Sequence, residues 1–198
     1  MTTVRDALLD EIKHHAINFG RFILSSGRTS WYYLDCRKVT LSARGAYLVA
    51  NAFLDLLDSR PVQAVGGMTV AADPIATAIA LESWHRQRPL KAFIVRKESK
   101  PHGLQRQVEG PIAPGDRAVI VDDVLTTGGS ILQAIEAVEA IGVVVDQVMV
   151  ILDRLEGGRE RIQERGYPVT SLFTLDDLRD YLAAYQQSSA DDSSQIGS

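Results

Sequence analysis

The chain has 198 residues, 45% of them hydrophobic and 23% charged, which is long enough for one globular domain with a substantial core. Its net charge of −4 argues against nucleic acid as a main partner, and its single cysteine, Cys36, excludes an internal disulfide framework and fits a reducing cytosol. Charges at Arg5, Asp6, Asp10, Glu11 and Lys13 are incompatible with a signal peptide, and no apolar run approaches the roughly 18 residues of a membrane span, so a soluble, cytoplasmic protein is expected.

In chain order, Val4 to Phe19 predicts a helix, with Leu8, Leu9, Ile12 and Ile17 as a partial apolar stripe, and a loop follows from Gly20 to about Thr40. Leu48, Val49, Phe53, Leu56 and Leu57 recur at helical spacing, which predicts a second helix from Ser42 to about Asp58. Then come a strand at Ala64 to Gly67, a helix from Asp73 to about Gln87 for which Asp73 is a candidate cap, and a strand at Ala92 to Val95. Further on lie a strand at Ala118 to Val121, a helix at Ile131 to Ile141, a strand at Val143 to Leu152 and a helix from Glu156 to about Arg165. Val169 to Phe173 reads as an edge strand, and Thr174 to about Tyr185 as a last helix capped by Thr174 with Asp177 three residues on. Residues 187–198 are polar and low in complexity, as expected of a disordered tail. Alternating strands and helices predict an α/β fold with a parallel sheet, whose ligands bind beyond the carboxyl ends of the strands. Gly66 to Asp73, Arg96 to Gly103 and Asp122 to Ser130 lie at such ends and are expected to converge.

Val119 to Ser130, VIVDDVLTTGGS, carries the most information. Ala118 to Val121 are short, apolar and without alternation, as in a strand buried on both faces, and Asp122 and Asp123 stand at its end. Thr126, Thr127, Gly128, Gly129 and Ser130 supply hydroxyls and approachable N–H groups just before a helix, which suits a phosphate monoester. Two carboxylates cannot bind that phosphate, but they can accept hydrogen bonds from vicinal ribose hydroxyls. Neither G-x-x-x-x-G-K-[ST] nor G-x-G-x-x-G occurs. An ordinary junction with Ser or Thr as helix cap would need only one such residue. The segment resembles the phosphoribosyl pyrophosphate signature of the type I phosphoribosyltransferases.

Between Val95 and Gly115, Arg96, Lys97, Lys100, His102 and Arg106 crowd a stretch in which Glu98 is the one acid before Glu109. Pro101 and Gly103 argue against a helix, so a long loop is expected unless a hairpin forms near Glu109. Such a loop could close over a departing pyrophosphate, placing cations where charge develops. His14, His15 and His85 lie in amphipathic helical contexts, and no zinc-ligand spacing or Ser-His-Asp arrangement is present.

Three further segments narrow the base. Phe22 to Asp35 (FILSSGRTSWYYLD) resembles the F-x-L-x-S-G-x-x-S-x-Y-Y-x-D hood of orotate phosphoribosyltransferases, Arg96 to Gly103 (RKESKPHG) their R-K-x-x-K-x-H-G loop, and Leu152-Asp153-Arg154 their L-D-R. The resemblance covers about residues 16–180. It implies one domain over residues 1–186, with a hood mainly in 1–40 and a flexible catalytic loop at about 96–115. It also implies transfer of phosphoribosyl from phosphoribosyl pyrophosphate to orotate, in pyrimidine (UMP) biosynthesis.

By that resemblance, Asp122 and Asp123 hold the ribose hydroxyls, and Val124, Leu125 and Thr126 to Ser130 complete the phosphoribosyl contacts. Arg96, Lys97, Lys100 and His102 stabilise the pyrophosphate, with Lys100, Asp122 and Asp123 counted as catalytic. Thr126 and Arg154, with backbone groups near Tyr33 and Leu34, position orotate, whose carboxylate calls for a bidentate cation. Mg²⁺ is expected to be held mainly by substrate and water rather than by protein ligands. A homodimer with shared active sites is implied, with neither nucleic acid nor membrane as partner. Two lysines common in the family are replaced, by Ser25 and Ala71, with Arg28 or backbone donors around Thr69 to Asp73 as candidate substitutes. A purine phosphoribosyltransferase and a non-catalytic nucleotide-sensing regulator on the same fold are the alternatives.

Overall fold

The computed structural model describes residues 2–23, 27, 29–57, 60–97 and 107–195, with side chains as far as 187. Its first helix, α1 (Val4–Glu11), opens on a capping box in which the Thr3 hydroxyl accepts from Asp6 N and Asp6 accepts from Thr3 N. Leu8, Ile12 and Ala16 carry one buried row onward through a π-helical turn, Ile12–Ala16. The helix expected to reach Phe19 ends there. Ile17 prolongs the apolar row, but its backbone is already extended.

The described residues of the expected loop at 20–40 form strands and a helix instead. Strand β1 (Ile17–Ile23) pairs antiparallel with β2 (Thr29–Leu34), Ile17 opposite Leu34, and a short helix α2 (Arg37–Thr40) follows. The hairpin is held by aromatic stacking: the Phe19 ring lies 5.9 Å from Trp31 and 3.4 Å from Tyr185.

The remaining elements are α3 (Ala43–Leu57), β3 (Ala64–Met68), α4 (Ala72–His85), β4 (Lys91–Val95), β5 (Val108–Glu109), β6 (Arg117–Leu125), α5 (Gly129–Glu139), β7 (Val144–Asp153), α6 (Gly158–Gln163) and β8 (Val169–Thr174). A 3₁₀ turn, Leu175–Leu178, leads into α7 (Arg179–Gln195). Thr174 and Asp177 form the expected capping box, and α7 runs past Tyr185 into the polar segment beyond residue 187.

Six strands make one sheet in the order β5-β4-β3-β6-β7-β8. All neighbours are parallel except β5, which returns antiparallel on β4 with Val108 opposite Val95, so a short hairpin pairing flanks the cationic segment, whose residues 98–106 lie outside the described residues. β8 is an edge strand, as expected. Helices cover both faces. Val65, Val119, Val121, Met149 and Ile151 pack with Leu8, Val49, Phe53, Ile75 and Ile79 on one side. Ala64, Phe93, Ala118, Ile120, Val148 and Val150 pack with Ile131, Ile135, Val138 and Ile162 on the other. Burial on both faces explains why β6 and β7 read as apolar runs rather than alternations. Each fully buried aliphatic side chain there stabilises the sheet by about 1.5–3 kcal/mol.

Candidate active site

The carboxyl end of β6 carries the paired acids, but the strand is longer than expected. Asp122, Val124 and Leu125 still pair with β7, opposite Val150, Leu152 and Asp153. Asp122 is buried; its Oδ1 accepts from Asp123 N at 2.9 Å and its Oδ2 from the Ser130 hydroxyl at 3.3 Å. Burial first, and the Asp123 charge second, push the Asp122 carboxyl up to about 7. Asp123 is half-buried, accepts from Val124 N at 2.7 Å, and is raised chiefly by burial while Arg37 holds it down. Leu125 is fully buried, so it can meet a ligand only through backbone atoms, while Val124 is partly buried and packs against the core.

The turn after β6 bends at Gly128, whose φ of +75° is left-handed. Helix α5 begins at Gly129, two residues before the expected Ile131, and its cap position makes no side-chain hydrogen bond. Capping by Ser or Thr is therefore not what these hydroxyls do. Thr127 and Ser130 are exposed beside the first N–H groups of the helix. A methyl group at Gly129 would find open space, its nearest neighbour being Arg161 Nη1 at 4.0 Å.

Helix α6 braces this turn from behind. A Cβ at Gly158 would collide with the Thr126 carbonyl oxygen and lie 2.6 Å from Leu125 Cδ1 and 2.9 Å from Gly128 N, so only glycine allows the approach. Arg161 Nη1 donates to Thr127 O at 3.2 Å. Neither Gly158 nor Arg161 stood out in the sequence, where they read as parts of an ordinary short helix.

Arg154 lies at the adjoining strand end, its N–H donating to Leu125 O at 2.9 Å. Its Nη2 pairs with Glu156 at 3.0 Å, while its Nε is buried and has no hydrogen-bond partner among the described residues.

The hood reaches the same region. Asp35 accepts Arg37 Nε at 2.8 Å and Nη2 at 3.2 Å, and the Arg37 guanidinium holds the Asp35 carboxyl below the usual range. Both residues bear electrostatically on Asp123, which sets this end of the hood beside the paired acids. Tyr33 is exposed on β2, whereas the Leu34 side chain belongs to the core, leaving its backbone as the group that could face a base.

At the end of β4, Arg96 N donates to Gln107 O at 2.9 Å, and its guanidinium pairs with Glu109 at 2.8 Å, so this cation is engaged within the hairpin. Lys97 is exposed. Lys100 and His102, like Ser25 and Arg28, lie outside the described residues. The cap of α4 is Ala71, not Asp73, because the helix begins at Ala72 and leaves Asp73 inside its first turn. One Asp73 oxygen is buried without a partner among the described residues, and burial raises its pKa.

A model of the phosphoribosyl transferase domain family matches residues 44–176. The orotate phosphoribosyltransferase of Streptomyces coelicolor is 46% identical over 179 residues, covering 90% of this chain and 98% of its own. The chain belongs to the orotate phosphoribosyltransferases. Crystal structures agree: that of the Mycobacterium tuberculosis H37Rv orotate phosphoribosyltransferase with Fe(III) dicitrate superposes with a TM-score of 0.81 at 39% identity, covering 89% of this chain and 99% of that one. The same enzyme in complex with 5-phospho-α-D-ribosyl 1-diphosphate gives 0.77 at 35% identity, again covering 89% and 99%. An orotate phosphoribosyltransferase has to hold a phosphate, a diol and a carboxylated base at once. In this chain a donor-rich turn, a pair of carboxylates and an arginine sit on the neighbouring ends of β6 and β7.

Proposed function

We propose that this orotate phosphoribosyltransferase joins orotate to the ribose 5-phosphate of phosphoribosyl pyrophosphate, giving orotidine 5′-monophosphate and pyrophosphate for pyrimidine synthesis, through the following roles. Thr126 to Ser130 receive the 5-phosphate on hydroxyls and helix N–H groups. Asp122 and Asp123 accept from the ribose hydroxyls. The orotate carboxylate meets Arg154, with the base set between Thr126 and the β2 backbone at Tyr33 and Leu34. Orotate's ring nitrogen then bonds to C1 as the C1–oxygen bond to pyrophosphate breaks, through an oxocarbenium-like transition state. Arg96, Lys97, Lys100 and His102 take up the charge that develops on the leaving group. The single observation that carries this reading is the buried Nε of Arg154 beside the cradle, without a partner among the described residues, a donor that a substrate carboxylate would satisfy.

Mg²⁺ fits as an ion carried in on the substrates. Among the described residues no group of three or more His, Cys, Asp and Glu side chains is placed to hold a metal, and Asp122 already accepts two donors. Asp123 is the protein carboxylate best able to steady it, through water, and the ion would supply charge neutralisation to the pyrophosphate. A homodimer acting in the cytosol completes the proposal, supported by the family and by the single, buried cysteine. No helix of the described residues is long and apolar enough to cross a membrane.

The test is purified protein with Mg²⁺, phosphoribosyl pyrophosphate and, in turn, orotate, uracil, adenine and hypoxanthine, following pyrophosphate release. Release with orotate alone is expected. Release only with a purine would assign the site to the purine enzymes, and no release with any base would make the chain a non-catalytic regulator.

A further inference from the structure

Asp153 is the last residue of β7 and is completely buried, yet it carries a carboxylate. Its Oδ1 accepts the N–H of Leu155 at 2.9 Å, and its Oδ2 accepts Arg159 Nε at 2.8 Å. Arg159, on α6, spends its other donors on the edge strand: Nη1 on Val169 O at 2.8 Å and Nη2 on the Ser171 hydroxyl at 2.7 Å. One buried acid thus ties together the end of β7, the turn that follows, helix α6 and β8.

Burying a charge pair is a poor way to gain stability, because the desolvation of both ions offsets their attraction. What the pair does control is a shape. The turn from Arg154 to Gly157 holds two left-handed residues, Leu155 at φ +58° and Gly157 at φ +85°. A branched side chain such as leucine adopts that conformation only when the surroundings impose it. The Asp153 carboxylate imposes it by capturing the Leu155 N–H, and Arg159 Nε holds that carboxylate in place. Arg154 sits between these two residues. Its own N–H is bound to Leu125 O, so the direction in which its side chain leaves the backbone is set by the turn.

We infer that Asp153 and Arg159 are positioning residues for base recognition: the buried pair holds the turn that aims Arg154, and through it the preference for a carboxylated pyrimidine, although neither residue touches substrate. The inference rests on the assignment of Arg154 to the orotate carboxylate. The same helix carries Gly158 and Arg161 against the phosphate turn, so α6 links the two ends of the substrate site.

The experiment measures orotate and phosphoribosyl pyrophosphate kinetics, together with binding of orotidine and uridine 5′-monophosphates, for Arg159→Met, Arg159→Lys and Ser171→Ala. Arg159→Met is expected to raise the orotate KM about tenfold with the phosphoribosyl pyrophosphate KM within about twofold, and to narrow the preference for orotidine over uridine monophosphate by a similar factor. Arg159→Lys, which keeps the charge and loses the fork, should fall between. Ser171→Ala removes one outer anchor on an edge strand and should shift the orotate KM about threefold without unfolding the protein, so the inference stays testable if Arg159→Met does not fold. A uniform loss of turnover with both KM values and the nucleotide preference unchanged would show a merely structural pair and overturn it. Wild-type turnover of orotate, lost on Arg154→Ala but untouched in Arg159→Lys and Ser171→Ala, would overturn the inference while leaving the assigned function standing. A wild type inactive on orotate would instead sink the function.

Discussion

The hydroxyl of Ser130, in the first turn of α5, donates to Oδ2 of Asp122 at the end of β6 across 3.3 Å. Among the described residues it is one of two donors on a carboxylate that burial and the Asp123 charge push up to about 7. The ordinary carboxylate value is 3.8, so between about pH 4 and 7 the folded protein binds more protons here than the unfolded chain does. Stability therefore falls as pH rises through that window, and the deficit is complete above it. Asp122→Asn should remove a deficit on the order of a few kcal/mol, raising Tm at pH 8 by several degrees with little gain near pH 4. Turnover should drop about 10²-fold as a charged ribose acceptor is lost. Melting curves at both pH values decide: an equal gain at pH 4 and 8 would refute the titration argument.

Gly158 approaches the turn after β6 so closely that a Cβ there would meet the Thr126 carbonyl oxygen. Gly158→Ala drives a methyl group into the Thr126 carbonyl and the Leu125 side chain, which costs about 1–3 kcal/mol of stability by overpacking. Because the obstructed atoms belong to the turn itself, the phosphoribosyl pyrophosphate KM should rise about tenfold while the orotate KM changes less. Steady-state kinetics with each substrate varied in turn would show it, and an unaltered phosphoribosyl pyrophosphate KM would mean that the turn is set by other contacts.

The cradle was legible because its signal is local. A β-branched run, two acids, two threonines and two glycines fall within twelve residues, and the strand ends where that run predicts, within a few residues. The hood's motif was legible but its hairpin was not, because Phe19 of β1 packs on Tyr181 and Tyr185 of α7 from the far end of the chain, and no local pattern announces Tyr185 beneath Phe19. The candidate cap Asp73 fails for a local reason: an Asp-Pro pair before an apolar stretch looks like a helix start, but the helix begins at Ala72. Arg159 gave no signal either, and Asp153 stood out only as the middle of Leu152-Asp153-Arg154, with nothing to tell that it pairs with Arg159. A strand-end acid and a helical arginine are ordinary surface residues until the fold buries the first and wraps the second around it.

Cys36 offers a check on the hood. It is fully buried, and burial, followed by the nearby charges of Asp123 and Asp35, pushes its thiol far above the ordinary value. The thiolate is the reactive form, so the native protein should resist a disulfide-exchange reagent at pH 8 and release one thiol equivalent only in denaturant. Reaction at the rate of a free thiol in the native state would mean that the hood opens readily at this point.

Lys100 occupies the centre of the cationic segment and has Lys97 and His102 as sequence neighbours. Lys100→Ala should reduce turnover by about 10²-fold, the scale of one lost charge-stabilising donor, with a smaller effect on either KM because the charge it meets develops mainly as pyrophosphate departs. Single-turnover pyrophosphate release would read this directly. Wild-type turnover in the variant would remove Lys100 from the mechanism.

In the proposed roles Arg154 selects the base, and its surroundings allow a two-step test. Each charge-assisted hydrogen bond lost with the guanidinium is worth about 1.5–3 kcal/mol, so Arg154→Ala should raise the orotate KM by about 10–100-fold and leave that of phosphoribosyl pyrophosphate nearly unchanged. Part of that loss is indirect. Glu156 pairs with Arg154 Nη2 at 3.0 Å, and removing the arginine leaves a bare carboxylate where a second carboxylate has to bind. Adding Glu156→Gln to Arg154→Ala should therefore recover several-fold in orotate KM, although each change alone is a loss or neutral. The sign of that coupling is diagnostic, since two independent contacts would give additive losses. Additivity in the double variant, measured as orotate KM at fixed phosphoribosyl pyrophosphate, would place Glu156 outside the base site and leave Arg154 acting on its own.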